Sequence, residues 1–332
     1  MKKILFVVGV IAIIGLGIFA ILNIAQKSNT DSEKISVVTT LFPQYDFAKA
    51  IGGDKVNVTL LLPPGVEAHA YEPKPSDITK INNAAIFVYT GEFMEPWAHD
   101  IIESADKKVK VVDASVGIEM MKEEDEHDHE HEHEEETEHK EAGHHEDEQG
   151  HHHHGGVDPH IWLDFDNAKI MAENIAKALV EVDPQNAEYY QNNLRNYQAK
   201  LAELDSAYKN TLSACKTKSI VYGGHYAFGY MAKRYGLEYV SAQGFSPDAE
   251  PSAKDMIALT EQIKKDNIGY VFYEELTSPK IAETLARETN AKLLLLNGAH
   301  NLAKEDYEAG ATFVSLMEGN LKNLSLGLGC QQ

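Results

Sequence analysis

Eight short runs rich in Val, Ile, Leu and Tyr recur along the chain, and helical patterns separate most of them. Each run is bounded by turn-forming residues, as buried strands are. Strands that alternate with helices favour a parallel sheet covered by helices on both faces. Four runs precede a long polar helix and four follow it, at residues 34–42, 56–63, 84–91, 108–115, 218–224, 237–243, 268–275 and 291–298.

The middle of the chain predicts two consecutive helices. Residues 166–183 are amphipathic, and Pro184 interrupts the pattern. From Gln185 to Leu212 apolar residues recur at spacings of three and four, which predicts a helix about 40 Å long at 1.5 Å per residue. The sequence therefore predicts an α/β protein of two lobes, each with a four-stranded parallel sheet, joined by one long backbone helix. The predicted domains are an N-terminal lobe at 34–165, connecting helices at 166–214 and a C-terminal lobe at 217–328.

The first 26 residues predict a membrane anchor or a signal segment. Lys2 and Lys3 precede an uncharged apolar run from Ile4 to about Ala25, which is long enough to span a bilayer. Small residues are poorly placed for cleavage, and no cysteine follows the run. An uncleaved segment would tether the protein, and a cleaved one would release it. Both alternatives predict an extracytoplasmic body, with the two lysines on the cytoplasmic side.

Only two cysteines are present, Cys215 and Cys330. This number excludes a site built from C-x-x-C pairs. In an oxidising compartment the two cysteines could form a disulfide.

The formal net charge of −22 is concentrated in one segment. Residues 122–154 contribute −13 of it, so the rest of the protein is only mildly acidic. No basic stripe offsets this charge, which excludes nucleic acid as a partner. A cationic ligand fits the composition better, and we expect a monomeric protein.

The same segment, residues 122–154, is rich in histidine and is called the His-rich loop below. It has few apolar residues to bury, so we expect a disordered loop rather than a packed domain. Its imidazoles and carboxylates would bind several metal ions loosely, because ordering the loop costs entropy. We interpret it as an accessory that gathers zinc or senses its abundance; the alternative is a solvated insertion with incidental affinity. Its histidines are His127, His129, His131, His133, His139, His144, His145, His151, His152, His153 and His154.

Five of the sixteen histidines lie outside this loop. His99 falls within a helical pattern and is interpreted as structural or exposed. The other four, His69, His160, His225 and His300, follow predicted strands or precede a helix, two in each lobe. Because ligands of parallel sheets bind at the carboxyl ends of the strands, we expect these four in the cleft between the lobes.

Four motifs resemble those of one known family: "PGVEAHAYEPKPSD", "DPHIWLDF", "HYAFGYMAKRYGL" and "YEELTSPKIAETLA". They are similar to those of the zinc and manganese substrate-binding proteins of ABC transporters, and the resemblance extends from about Lys34 to Leu326. It implies two α/β lobes with a metal in the interlobe cleft, and an extracytoplasmic protein that delivers the ion to a membrane permease. The family's first three ligands match His69, His160 and His225, and its fourth ligand, commonly a carboxylate, matches His300.

Two positions depart from the family pattern. Phe165 stands where proline is usual, which we expect to alter only the start of the helix that follows. His300 makes all four matching positions imidazoles, and four imidazoles suit tetrahedral Zn²⁺. Manganese, the alternative, prefers more oxygen donors.

Three acidic residues lie close to the predicted ligands in sequence: Glu67, Glu72 and Asp158. They would orient an imidazole N–H, and Glu67 is also a spare ligand. The alternative is that they are helix caps or solvated surface.

A zinc hydrolase is the less favoured function. Catalytic zinc keeps one coordination position open, which a fourth histidine would close, and no H-E-x-x-H helix is present. The sequence therefore predicts a binding protein and not an enzyme.

Overall fold

The computed structural model describes residues 34–122, 156–245 and 250–331. The N-terminal segment 1–26 and nearly all of the His-rich loop lie outside the described residues. Within them, two four-stranded parallel sheets form, as the sequence predicts. The strands β1 to β8 span Ile35–Thr39, Val56–Leu60, Ile86–Tyr89, Lys110–Asp113, Ser219–Tyr222, Glu238–Ser241, Tyr270–Tyr273 and Lys292–Leu295.

The first sheet has the order β2-β1-β3-β4 and is covered on both faces. Consecutive side chains of a strand point to opposite faces. Val37 and Ile86 pack in the main core, whereas their neighbours Val38 and Phe87 pack in a second cluster on the other face. All four are almost fully buried, which explains why these strands are continuous apolar runs in the sequence.

The second sheet repeats this arrangement with the order β6-β5-β7-β8. Tyr222 and Phe272 face the main core, and Val221 and Val271 face a separate cluster. In both sheets the strand order reverses between the two central strands, which is the point where ligands of open parallel sheets bind.

Ten helices accompany the strands in the described residues. The long backbone helix, α5, spans Ala187–Ser213, and a single 3₁₀ turn at Pro184–Asn186 separates it from α4, which spans Phe165–Val182. Proline fits the first turn of a helix but not its interior, so Pro184 separates the two. The helices α1 to α10 span Phe42–Gly52, Pro75–Asn82, Ala98–Ser104, Phe165–Val182, Ala187–Ser213, Gly229–Tyr235, Ala253–Lys265, Lys280–Thr289, Lys304–Glu308 and Phe313–Gly327.

Helix α5 contacts both lobes. Tyr197 packs against Phe47 of α1, with ring centroids 5.4 Å apart. Eleven residues later, Tyr208 donates a hydrogen bond of 2.6 Å to the carbonyl of Met317 in α10. These contacts make one continuous core that runs through both lobes.

The structure shows the surroundings of Phe165, at the start of α4, and of the two cysteines. Phe165 begins α4 and is buried against Tyr208, with ring centroids 5.2 Å apart, while Asp164 caps the helix. Cys215, just after α5, forms a disulfide with Cys330, just after α10.

No helix in the described part of the chain is long and apolar enough to cross a membrane.

Each strand is shorter than its apolar run. The run at 34–42, for example, ends as a strand at Thr39, and Phe42 already begins α1. Leu61 and Leu62 continue the apolar run after β2 without being part of the strand. Both leucines are buried, so the chain stays apolar as it turns at the carboxyl ends of the strands.

Candidate metal site

The structure brings His69, His160, His225 and His300 together between the two lobes. His69 lies in the loop after β2 and His160 directly precedes the turn that leads into α4, whereas His225 and His300 follow β5 and β8. The six distances between their ring centroids lie between 4.8 and 5.4 Å. One ring nitrogen of each histidine lies within 4.8 Å of those of the other three.

Two of the distances between these nitrogens match those around a tetrahedral ion. Nε2 of His160 lies 3.3 Å from Nε2 of His69 and 3.3 Å from Nε2 of His225. A tetrahedron with zinc–nitrogen bonds of about 2.0–2.1 Å has an edge of about 3.3 Å. These two of the six nitrogen–nitrogen distances therefore match the edge of a zinc tetrahedron, and all four ligand atoms lie within 4.8 Å of one another.

His300 is the most informative of the four rings. Its Nε2 is buried and has no hydrogen-bond partner among the described residues. Burial lowers the pKa of His300 well below its usual value, and the neighbouring His225 lowers it further. A neutral ring that presents an unpartnered nitrogen to a buried site is suited to bind a metal ion, because an unsatisfied buried polar atom is costly without a ligand.

Two carboxylates contact the ring nitrogens that face away from the cluster. Nδ1 of His160 lies 2.7 Å from Oδ1 of Asp158, and Nδ1 of His225 lies 2.9 Å from Oε2 of Glu274. Such contacts fix the tautomer so that Nε2 can act as the metal ligand. Burial raises the pKa of Asp158 to about 8, and a hydrogen bond from the backbone N–H of His160 opposes this rise.

The other two acidic residues singled out in the sequence lie elsewhere. Glu67 accepts hydrogen bonds from the backbone N–H groups of His69 and Ala70, at 3.0 and 2.8 Å, and so holds the turn that presents His69. Burial raises its pKa, although these two hydrogen bonds oppose the rise. Glu72 is exposed and is not part of the histidine cluster. The His-rich loop histidines lie outside the described residues.

Sequence reasoning missed three residues next to the cluster. These are Glu274, Glu275 and Trp162. Glu275 accepts a hydrogen bond from the backbone N–H of Gly298, at 3.1 Å to Oε2. Trp162 donates its indole N–H to the carbonyl of Gly298 at 2.8 Å. Burial and the proximity of Glu274 raise the pKa of Glu275 to about 8. Both glutamates directly follow β7, so their position at the carboxyl end of a strand is the signal that would have identified them.

Fold and site together define a class of protein: a two-lobed α/β binding protein with a candidate metal site in the cleft. A family model described as "ZnuA: Zinc-uptake complex component A periplasmic" matches residues 37–327. The chain belongs to this family.

Individual relatives agree with this assignment. The chain is 40% identical over 306 residues to the high-affinity zinc uptake system protein ZnuA of Bacillus subtilis, covering 91% of each chain. It is 39% identical over 292 residues to the zinc-binding lipoprotein AdcA of Streptococcus pneumoniae, where it spans only 55% of that longer protein. The crystal structure of the Zn(II)-bound ZnuA-like domain of AdcA is 37% identical, with a TM-score of 0.71, and the match covers 89% of this chain and 99% of that one.

Proposed function

We propose that this protein captures Zn²⁺ outside the cytoplasm and delivers it to the membrane permease of an ABC-type uptake system. The observation that carries the proposal is the convergence of four imidazoles, in which Nε2 of His160 lies 3.3 Å from Nε2 of His69 and from Nε2 of His225. Family membership supports both zinc as the ion and an extracytoplasmic location. The ion is cargo in this function, and the protein performs no reaction on it.

The donor set favours zinc over manganese. His69, His160, His225 and His300 supply only nitrogen, and three of them are almost fully buried. Manganese prefers oxygen donors and lies below zinc in the affinity order for nitrogen sites. Four ligands also fill the tetrahedral shell of zinc, whereas a hydrolytic zinc needs one position for water.

The remaining parts of the chain fit this function. Residues 34–165 and 217–328 would be the two binding lobes, and residues 166–214 the connecting helices. The N-terminal segment 1–26 would tether the protein to the membrane or be removed. The His-rich loop would gather zinc near the cleft, because Lys122 and Val157, at its two ends, pair with each other close to His160.

Metal analysis tests the proposal. The full chain and a variant that lacks residues 123–154 are loaded with zinc, passed through a chelating column and analysed for metal. We expect one tightly held zinc per chain in both proteins, and weaker retention in His300→Ala with or without the loop. Loss of tight binding on loop deletion, or tight retention of manganese in competition with zinc, would contradict the proposal.

A further inference from the structure

The segment 296–302, named the His300 loop here, belongs to the second lobe but is hydrogen-bonded to residues of the first lobe. It begins directly after β8. The backbone N–H of Phe42, at the start of α1, donates to the carbonyl of His300 at 3.1 Å. The backbone N–H of Gly65 donates to the carbonyl of Leu302 at 2.7 Å. The loop that presents His300 is therefore docked on the opposite lobe.

Asn301 makes the most direct of these connections. It is fully buried, and its side-chain amide donates to the carbonyls of Pro63 at 2.7 Å and Val66 at 2.9 Å. Its side-chain oxygen accepts the backbone N–H of Leu302 at 2.9 Å. Both acceptor carbonyls lie just before His69 in the chain. One side chain thus joins the loops that carry two of the four imidazoles.

The backbone on both sides of this contact adopts a conformation that needs support. Ala299 has φ of +56°, in the left-handed region that residues with a Cβ seldom adopt. Gly65 has φ of +86°, which glycine tolerates. A non-glycine residue stays in this region when surrounding contacts fix it, and such residues often mark functional sites. Ala299 is fixed by a hydrogen bond of 2.8 Å from its backbone N–H to Oδ1 of Asn297.

We infer that Asn301 is a positioning residue that latches the His69 loop to the His300 loop and so slows the release of zinc. The inference rests on the proposed function. For zinc to leave, His69 and His300 must separate, since they approach the ion from different lobes. While the Asn301 amide holds the carbonyls of Pro63 and Val66, the two rings stay at their 5.4 Å centroid distance. Breaking the latch would leave the buried Asn301 amide without its two acceptors, so the closed arrangement is favoured.

Asn301→Ala tests the latch, and Asn320→Ala is its matched control. Asn320 is also buried and also holds this part of the chain, since it accepts the N–H of Asn297 and donates to its carbonyl, both at 2.8 Å. These bonds stay within the second lobe, so the control removes buried hydrogen bonds without removing a link between lobes. The measurement is the rate at which zinc passes from the loaded full chain to a chromogenic chelator. We expect about tenfold or faster release from Asn301→Ala and less than about threefold from Asn320→Ala.

Two further measurements do not depend on zinc transfer. In the metal-free protein, the amide of Gly65 should exchange with deuterium faster in Asn301→Ala than in Asn320→Ala. In the Co²⁺-loaded protein, Asn301→Ala should weaken the visible bands of tetrahedral cobalt, which the control should preserve. Asn301→Asp keeps the size and the acceptor but loses both donors, and it replaces the alanine variant if that variant does not fold.

Equal release rates from the two variants, or an unchanged rate in Asn301→Ala, would overturn the latch while leaving the proposed function intact. A wild-type chain that retains no zinc would overturn the proposed function instead.

Discussion

His225 illustrates how the candidate site depends on side chains that contact the ring nitrogens facing away from the cluster. Its Nδ1 contacts Glu274, which is almost fully buried and follows β7. Glu274→Gln removes the carboxylate charge but keeps the size of the side chain. Because such partners orient the ligand and raise its basicity, we expect zinc affinity to fall by about 10–100-fold. Competition with a fluorescent chelator measures the change, and the exposed Glu283→Gln serves as the control. Equal affinity of the two variants would show that Glu274 does not support the site.

Glu95 lies outside the histidine cluster, and we expect it to affect stability. It is buried and accepts hydrogen bonds from Thr40 and Thr90, and burial raises the pKa of Glu95 from 4.5 to about 7. Between these values the folded protein holds a proton on Glu95 that the unfolded chain has lost, so the contribution of Glu95 to stability decreases as pH rises from about 4.5 to 7 and then levels off.

Glu95→Gln should remove this contribution. We expect the variant to be more stable than wild type at pH 8 by up to about 3 kcal/mol, and to lose the advantage towards pH 4. Urea unfolding of metal-free protein from pH 4 to 8 measures the difference. The exposed Glu103→Gln should follow the wild-type curve. A Glu95→Gln curve parallel to that of wild type would mean that Glu95 keeps an ordinary pKa.

At the scale of elements, the sequence predicted α5 and all eight strands because each leaves a local pattern. Apolar residues at spacings of three and four mark the helix, and short buried runs mark the strands. The four histidines were equally visible, since each lies close to the end of an element. Asn301 was not, because its two acceptors lie 238 and 235 residues away in the sequence. Contacts between distant loops leave no local pattern.

The disulfide joins the ends of two elements, α5 and α10. It links residues 115 positions apart, so it restricts a long loop in the unfolded chain. Replacing both Cys215 and Cys330 with serine should lower the free energy of unfolding by about 2–5 kcal/mol. Urea unfolding of metal-free protein with and without reductant checks this: reductant should destabilise wild type to the level of the double variant and leave the variant unchanged. A wild-type curve that does not respond to reductant, and that coincides with the variant's, would contradict the expectation.

At the scale of the whole molecule, the candidate site exists only when both lobes are folded and packed. His69 and His160 come from one side of α5 in the sequence, and His225 and His300 from the other. The continuous core along α5 and the docking of the His300 loop on the first lobe keep the two halves together. A ligand that binds only the folded state stabilises it, so zinc should raise the melting temperature of the entire protein in a single transition.

The most direct test is a crystal structure of the zinc-loaded chain, with the ion identified by its X-ray absorption edge. The account predicts one fully occupied zinc in the cleft, bound by His69, His160, His225 and His300 at about 2.0–2.1 Å in tetrahedral geometry. A tightly held ion elsewhere, with these four imidazoles not bound to it, would contradict the account.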